Sequence, residues 1–248
     1  MTAPAADREA AARAAPLLRC HDLHAYYGES YVVQGVSFEI AENEILTVLG
    51  RNGAGKTSTL RCIARAREPE LRRGEIWMAG EAIHRMPTHM AARAGISLVP
   101  EDRRIIPGLT VEENLVLSQI APSPGWDFDR IYAHFPRLAE RRRQEGTTLS
   151  GGEQQMLAIA RALARDVKVL LLDEPYEGLA PQIVGEIEQI LIELKRAGMT
   201  VIVVEQNAIA ALRVADRCII LDDGEVVFRG DPKTVLADEA IRRNYLAV

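Results

Sequence analysis

Gly50-Arg51-Asn52-Gly53-Ala54-Gly55-Lys56-Thr57 fits the pattern G-x-x-x-x-G-K-[ST], a phosphate-binding loop. The apolar run Ile45-Leu46-Thr47-Val48-Leu49 precedes it and reads as a strand, and Leu60, Ile63 and Ala64 follow on one side of a helix. A tight turn between strand and helix aims successive backbone N–H groups inward, and the positive end of the helix adds to their field. Glycines keep side chains from holding the backbone away from phosphates. Lys56 is placed to reach the β- and γ-phosphates, and the Thr57 hydroxyl to ligate Mg²⁺. Ser58 extends the cradle into the first helical turn. The stretch implies a site for a nucleoside triphosphate with Mg²⁺.

The composition leaves room for such a site and closes off others. At 248 residues the chain can bury one large core or two lobes sharing it. A hydrophobic fraction of 48% and a charged fraction of 26% are ordinary for a globular protein. The net charge of −5 gives no electrostatic attraction to nucleic acid or an anionic membrane surface. No apolar run approaches the roughly 18 residues that a membrane span needs. The Ala-rich start is interrupted by Asp7, Arg8, Glu9 and Arg13, so residues 1–16 read as a disordered extension rather than a secretory leader. Cys20, Cys62 and Cys218 lie far apart without metal-ligand spacing and read as reduced thiols.

Outward from the loop, Val36, Phe38 and Ile40 alternate as a half-buried strand, and the segment from Leu17 to about Ile83 is strand-rich. From about Pro87 to Ala164 the patterns are helical, with a Pro/Gly break at Ala121-Pro122-Ser123-Pro124-Gly125. The basic run Arg141-Arg142-Arg143 reads as a solvated helix face. Val169-Leu170-Leu171-Leu172 reads as a strand buried on both faces, as parallel sheets require. A helix from Pro181 to about Ala197 carries Ile183, Ile187, Ile190, Leu191 and Leu194 on one stripe, with Pro at its start and Gly198 at its end. A further strand spans Thr200 to Val204, and Asp222-Asp223-Gly224 between two apolar runs signals a hairpin. Strands alternating with helices predict an α/β core with a helical subdomain inserted over about residues 88–164.

Two further stretches carry chemistry. Asp173 emerges at the end of the buried strand, where ligands of α/β sheets collect, and can hold Mg²⁺. Glu174, one residue on, is placed to orient and polarise a water that attacks the γ-phosphate. In Leu149-Ser150-Gly151-Gly152-Glu153-Gln154-Gln155, Ser150 and Glu153 form a capping box, and the helix it opens shows Met156, Ile159, Ala160 and Leu163 at helical spacing. Two glycines beside the cap leave N–H groups open to an anion. The chain already has one phosphate cradle, so this second one suits a nucleotide held by a partner subunit.

Gly50 to Thr57, Leu149 to Glu153 and Leu170 to Glu174, in this order, resemble the nucleotide-binding subunit of ABC transporters. The resemblance covers about Leu17 to Val248 and implies one cassette over 17–248: a P-loop NTPase (RecA-like) core, an N-terminal antiparallel β subdomain and the helical insertion. It further implies that two cassettes close head to tail, so that Ser150, Gly151, Gly152 and Glu153 meet the nucleotide of the opposite subunit. Tyr27 matches the aromatic that stacks on adenine, with Tyr26 as the neighbouring competitor. Tyr176 to Pro181 matches a loop contacting the second cassette, although Tyr176-Glu177 is an unusual opening for it.

Two positions depart from the family pattern. Glu101 stands where most members have Gln, and Gln206 stands where most have His. Glu101 can still ligate Mg²⁺, and Gln206 can hydrogen-bond phosphate but cannot titrate near neutral pH. Either the site is weakened or Glu174 dominates catalysis, with Lys56 and Gln206 assisting. Val-Pro-Glu, Leu-Ser-Gly-Gly-Glu-Gln-Gln-Met-Leu and Val-Glu-Gln-Asn together resemble the second ATPase subunit of branched-chain amino acid, amide or urea importers. That resemblance implies a second ATPase subunit (a heterodimer, or else a homodimer), two transmembrane permeases, a periplasmic solute-binding protein, and a peripheral place on the cytoplasmic face of the inner membrane. The alternatives are a nucleotide-binding structural subunit with weak hydrolysis of its own, and a soluble ABC ATPase of DNA repair or translation.

Overall fold

Ile45–Leu49 (β3) lies in the middle of a six-stranded sheet and is buried along its whole length. The computed structural model describes residues 15–119 and 125–246, so most of the expected N-terminal extension and residues 121–124 of the Pro/Gly break lie outside the described residues. Leu18–Tyr27 (β1) and Ser30–Ile40 (β2) form a long antiparallel hairpin, which Glu70–Met78 (β4) and Glu81–Ala82 (β5) extend to a four-stranded sheet ordered β2-β1-β4-β5. The second sheet also holds Ile96–Val99 (β6), Val169–Asp173 (β7), Thr200–Glu205 (β8), Arg217–Asp222 (β9) and Glu225–Gly230 (β10). Its order is β10-β9-β3-β8-β7-β6, parallel except for the β9–β10 hairpin at one edge.

The helices follow the sequence pattern. Lys56–Ile63 (α1) leaves the phosphate-binding loop, and Thr88–Arg93 (α2) leads into β6. Val111–Ser118 (α3), Phe128–His134 (α4) and Pro136–Glu140 (α5) come next. Gly151–Leu163 (α6), Pro181–Arg196 (α7) and Ala208–Val214 (α8) cover the far side of the parallel sheet. Residue alternation along the central strands divides the interior in two. Leu46, Val48 and Leu171 face α1 and the antiparallel sheet, packing on Leu60 and Ile63. Ile45, Leu49, Leu170 and Leu172 face the other way, onto Met156, Ile159, Ile187 and Leu191 of α6 and α7. A strand whose two neighbours on the chain point to opposite cores must be apolar throughout, which is why β7 reads as an unbroken run.

The stretch 88–164 is not helical throughout. Ile96–Val99 joins the parallel sheet as β6, paired with β7 from Ile96↔Val169 to Val99↔Leu172. Four residues are too few to show a period, and only pairing with a distant segment makes them a strand. The basic run Arg141-Arg142-Arg143 is exposed, as expected, but it lies in a turn after α5 rather than on a helix face. Arg141 closes α5, and its Nε sits 2.7 Å from Oε1 of Glu153, whose side chain is only 6% exposed. The three cysteines are buried and free, as expected.

Candidate nucleotide site

Gly55 must be glycine for a local reason: its φ is +92°, and a Cβ would lie 2.6 Å from the carbonyl oxygen of Val32. The turn it permits starts α1 at Lys56. The Lys56 side chain, 4% exposed, folds back over the loop. Its Nζ donates to the carbonyls of Gly50 (3.0 Å) and Arg51 (3.2 Å) and pairs with Glu174 Oε1 at 3.3 Å. A buried ammonium is tolerated only when its donors are met in this way. Thr57 Oγ1 donates to Asp173 Oδ1 at 2.7 Å, joining the loop to the end of β7. Burial raises the Asp173 carboxyl above its ordinary range, with the Glu174 charge adding to it and the Thr57 hydroxyl opposing it.

Glu174 adopts φ +47°, a left-handed conformation that costs a non-glycine residue about 1–3 kcal/mol. Its N–H donates to Val204 O at 2.9 Å, carrying the β7–β8 ladder one residue past β7. The bend turns the carboxylate away from the sheet and towards Lys56. A cavity of about 450 Å³ opens there, lined among others by Tyr27, Asn52, Gly53, Lys56, Thr57, Ser58, Glu101, Glu174 and Glu177. Glu177 has its pKa raised, first by a hydrogen bond with Glu101 and then by burial.

The donor set fits Mg²⁺. Among the described residues no three His, Cys, Asp or Glu side chains form a metal cage. Mg²⁺ does not require one, since it is usually held by one or two protein oxygens together with substrate phosphates. Thr57 and Asp173 supply such oxygens, and Glu101 lies on the cavity wall beside them. A metal held there supplies charge neutralisation to the transferring phosphoryl group.

The two tyrosines point to different places. Tyr27 lines the cavity, and its hydroxyl accepts a hydrogen bond from Arg61 at 3.3 Å. Tyr26 stacks on Tyr31, with ring centroids 4.6 Å apart, and carries the Arg72 guanidinium over its other side at 4.4 Å. Tyr27 is thus the one of the two that lines the cavity. Arg51 has its guanidinium turned to Arg243 O at 3.2 Å, and Ala54 is buried behind the loop. Gln206 is exposed and is not among the residues lining the cavity.

The capping box at the start of α6 forms as its sequence predicts. Ser150 Oγ accepts from Glu153 N, and Glu153 Oε2 accepts from both Ser150 N (2.9 Å) and Ser150 Oγ (2.8 Å). Gly152 lets α6 approach α7 closely, since a Cβ there would stand 2.4 Å from Cγ2 of Ile183. None of Ser150, Gly151, Gly152 and Glu153 lines the cavity around Lys56. Two residues escaped the sequence reading. Arg103 bridges α6 and the loop after β7, donating to Gln155 Oε1 (3.2 Å) and Glu177 O (3.4 Å). Glu205, 2% exposed, ends β8 as Asp173 ends β7, and an acid closing an apolar strand was the available signal.

A family model described as ABC transporter matches residues 33–177. The chain is 42% identical over 224 residues to the high-affinity branched-chain amino acid transport ATP-binding protein BraG of Pseudomonas aeruginosa, covering 89% of this chain and 95% of that one. It is 34% identical over 236 residues to the lipopolysaccharide export system ATP-binding protein LptB of Haemophilus influenzae, covering 93% and 97%. Among solved structures, that of the dimeric bacterial ABC transporter cassette MJ0796 matches with a TM-score of 0.75 at 27% identity, covering 87% of this chain and 98% of that one. The phosphate-binding loop, the acids after β7 and the capped glycines of α6 therefore stand in one known frame, and the chain belongs to the ABC transporter ATP-binding family as an ATPase subunit.

Proposed function

We propose that this chain is the ATP-hydrolysing subunit of an importer of branched-chain amino acids. The observation that carries the solute class is the 42% identity to BraG across nearly the full length of both chains, against 34% for the lipopolysaccharide exporter subunit. In this reading Lys56 and the loop amides hold the phosphates, Thr57, Asp173 and Glu101 place Mg²⁺, and Tyr27 stacks on adenine. Glu174 orients the attacking water, with Gln206 as a hydrogen-bond donor to the γ-phosphate. Catalysis is then positioning and charge stabilisation, as phosphoryl transfer allows. Ser150, Gly151, Gly152 and Glu153 serve the nucleotide of a second, non-identical ATPase subunit, in the manner of a paired cassette.

No helix among the described residues is long and apolar enough to cross a membrane. In this reading the solute passes through two permease subunits, and this chain sits against their cytoplasmic loops. A cavity of about 390 Å³, lined among others by Thr88, Leu98, Pro100, Arg104, Leu117 and Arg161, offers a docking place. Met90 and Val116 stand exposed on the neighbouring α2 and α3. A periplasmic solute-binding protein would deliver the cargo, and the net charge of −5 argues against nucleic acid as a partner. The test is copurification with a tagged chain, followed by hydrolysis measurements on the reconstituted complex. Stimulation by leucine, isoleucine or valine with the binding protein supports the reading; stimulation by lipopolysaccharide alone would defeat it.

The second reading, a subunit that closes on ATP while its partner performs most hydrolysis, is favoured by Glu101, whose carboxylate adds negative charge beside the phosphates. Turnover at this site, measured with the partner's equivalent of Glu174 disabled, separates the two.

A further inference from the structure

We propose that Glu205 is a positioning residue for hydrolysis, whose carboxylate ties the loop after Glu174 to the loop that carries Gln206. The inference rests on the roles given above to Glu174 and Gln206. Glu205 ends β8 and is 2% exposed. Its Oε1 accepts the N–H of Tyr176 at 2.8 Å, and its Oε2 accepts the N–H groups of Gln206 and Asn207, both at 3.1 Å.

These three bonds use most of the acceptor capacity of one carboxylate, and all three donors are backbone amides. A buried carboxylate is costly unless hydrogen-bonded, so an acid at this strand end is tolerated because of the two loops it joins. The joint falls at the two places where geometry matters most. Glu174 is held at φ +47° with its own N–H on Val204 O, and two residues later Tyr176 N–H is fixed on Glu205. Left-handed backbone at a charged residue persists only where its surroundings over-determine it, and these successive ties supply that constraint. On the other side, Gln206 and Asn207 are set by the same carboxylate before Asn207 caps α8 through Ala210 N–H. Any movement of one loop is thus passed to the other through a single side chain. The water-orienting carboxylate and the γ-phosphate hydrogen-bonder keep a common register.

Glu205→Gln tests this in the complex with the permeases and the second ATPase subunit. The amide can accept from one loop but turns an NH₂ group towards the donors of the other. The expected result is kcat lowered about 10–100-fold, because misplacement of about 1 Å costs that much. ATP affinity and KM stay within about 2-fold, since the phosphate-binding loop is untouched. Glu205→Asp keeps the charge but is too short to span both loops; it shows the same split with a smaller loss, and it decides the matter should the Gln variant fail to fold. Wild type and Glu174→Gln are measured alongside. A wild type that does not hydrolyse ATP overturns the reading of the site itself. An active wild type with both Glu205 variants within 2-fold of it, or with KM rising in step with the loss of kcat, overturns only the tie.

Discussion

Replacing Gly152 by Ala probes the contact that sets the capped end of α6. The new methyl would lie 2.4 Å from Cγ2 of Ile183, 3.3 Å from its Cγ1 and 3.4 Å from its Cβ. Carbon atoms in contact settle at about 3.5–4.0 Å, so the overlap exceeds 1 Å. Ile183 is β-branched and lies in the first turn of α7, where one χ1 rotamer dominates, so it has little freedom to turn aside. Parting the helices costs about 1–3 kcal/mol as overpacking. Gly→Ala in a helix returns about 0.5–1 kcal/mol, leaving Gly152→Ala neutral to destabilising, by roughly 0–2.5 kcal/mol. In an Ile183→Ala background the obstacle is gone, and the same change should stabilise by about 0.5–1 kcal/mol. Urea denaturation of the two single variants and the double variant measures this reversal as a coupling of about 1–3 kcal/mol. Stabilisation by Gly152→Ala in both backgrounds would refute the packing argument. The same displacement moves the Ser150 and Gly151 amides, so ATP-driven pairing with the second subunit should weaken while ATP binding by the single chain stays within about 2-fold.

Glu174→Gln removes the carboxylate that faces Lys56 at 3.3 Å and should lower phosphate release by about 10²–10⁴-fold with ATP binding intact; near-normal release would remove its role. Tyr27→Ala should weaken nucleotide binding about 3–10-fold through lost stacking, whereas Tyr26→Ala, which unstacks Tyr31, leaves affinity unchanged in a fluorescent-nucleotide titration. For pH, burial pushes Glu205 up to about 7, Glu174 pushes the same way, and the amides of Tyr176, Asn207 and Gln206 oppose. Its folded value lies above the ordinary 4.5, so its contribution to stability is present below pH 4.5 and is lost as pH rises through about 7. The ionised form makes the three amide bonds beside Tyr176 and Glu174, so hydrolysis should rise through that window and lose the rise in Glu205→Gln. An inflection removed instead by replacing one of the five histidines would contradict the assignment.

Much of the site was legible because it is local. A phosphate-binding loop needs only a strand, a turn and a helix in succession, and a capping box needs only residues three apart. Asp173 and Glu174 announced themselves by following an unbroken apolar run. Other features depend on partners that only folding brings together. Tyr26 and Tyr27 differ only in which side of β1 they occupy, a matter settled by the register against β2 and its irregularity between Ala25 and Tyr26. Arg141 is exposed, as its basic run suggested, but its ion pair with Glu153 came only with folding. Ile96–Val99 looked like part of a helical stretch until β7 offered it a parallel ladder.

By itself, the sequence determined the parallel α/β core, the nucleotide loop, the acids after β7 and the second capped helix, because each is written in adjacent residues whose backbone preferences and burial agree. The tertiary structure decided which strands neighbour one another, which tyrosine faces the cavity, and that Glu205 joins two loops from the end of β8. Those outcomes depend on hydrogen bonds and contacts between separate elements of the chain, and no local pattern carries the register in which they meet.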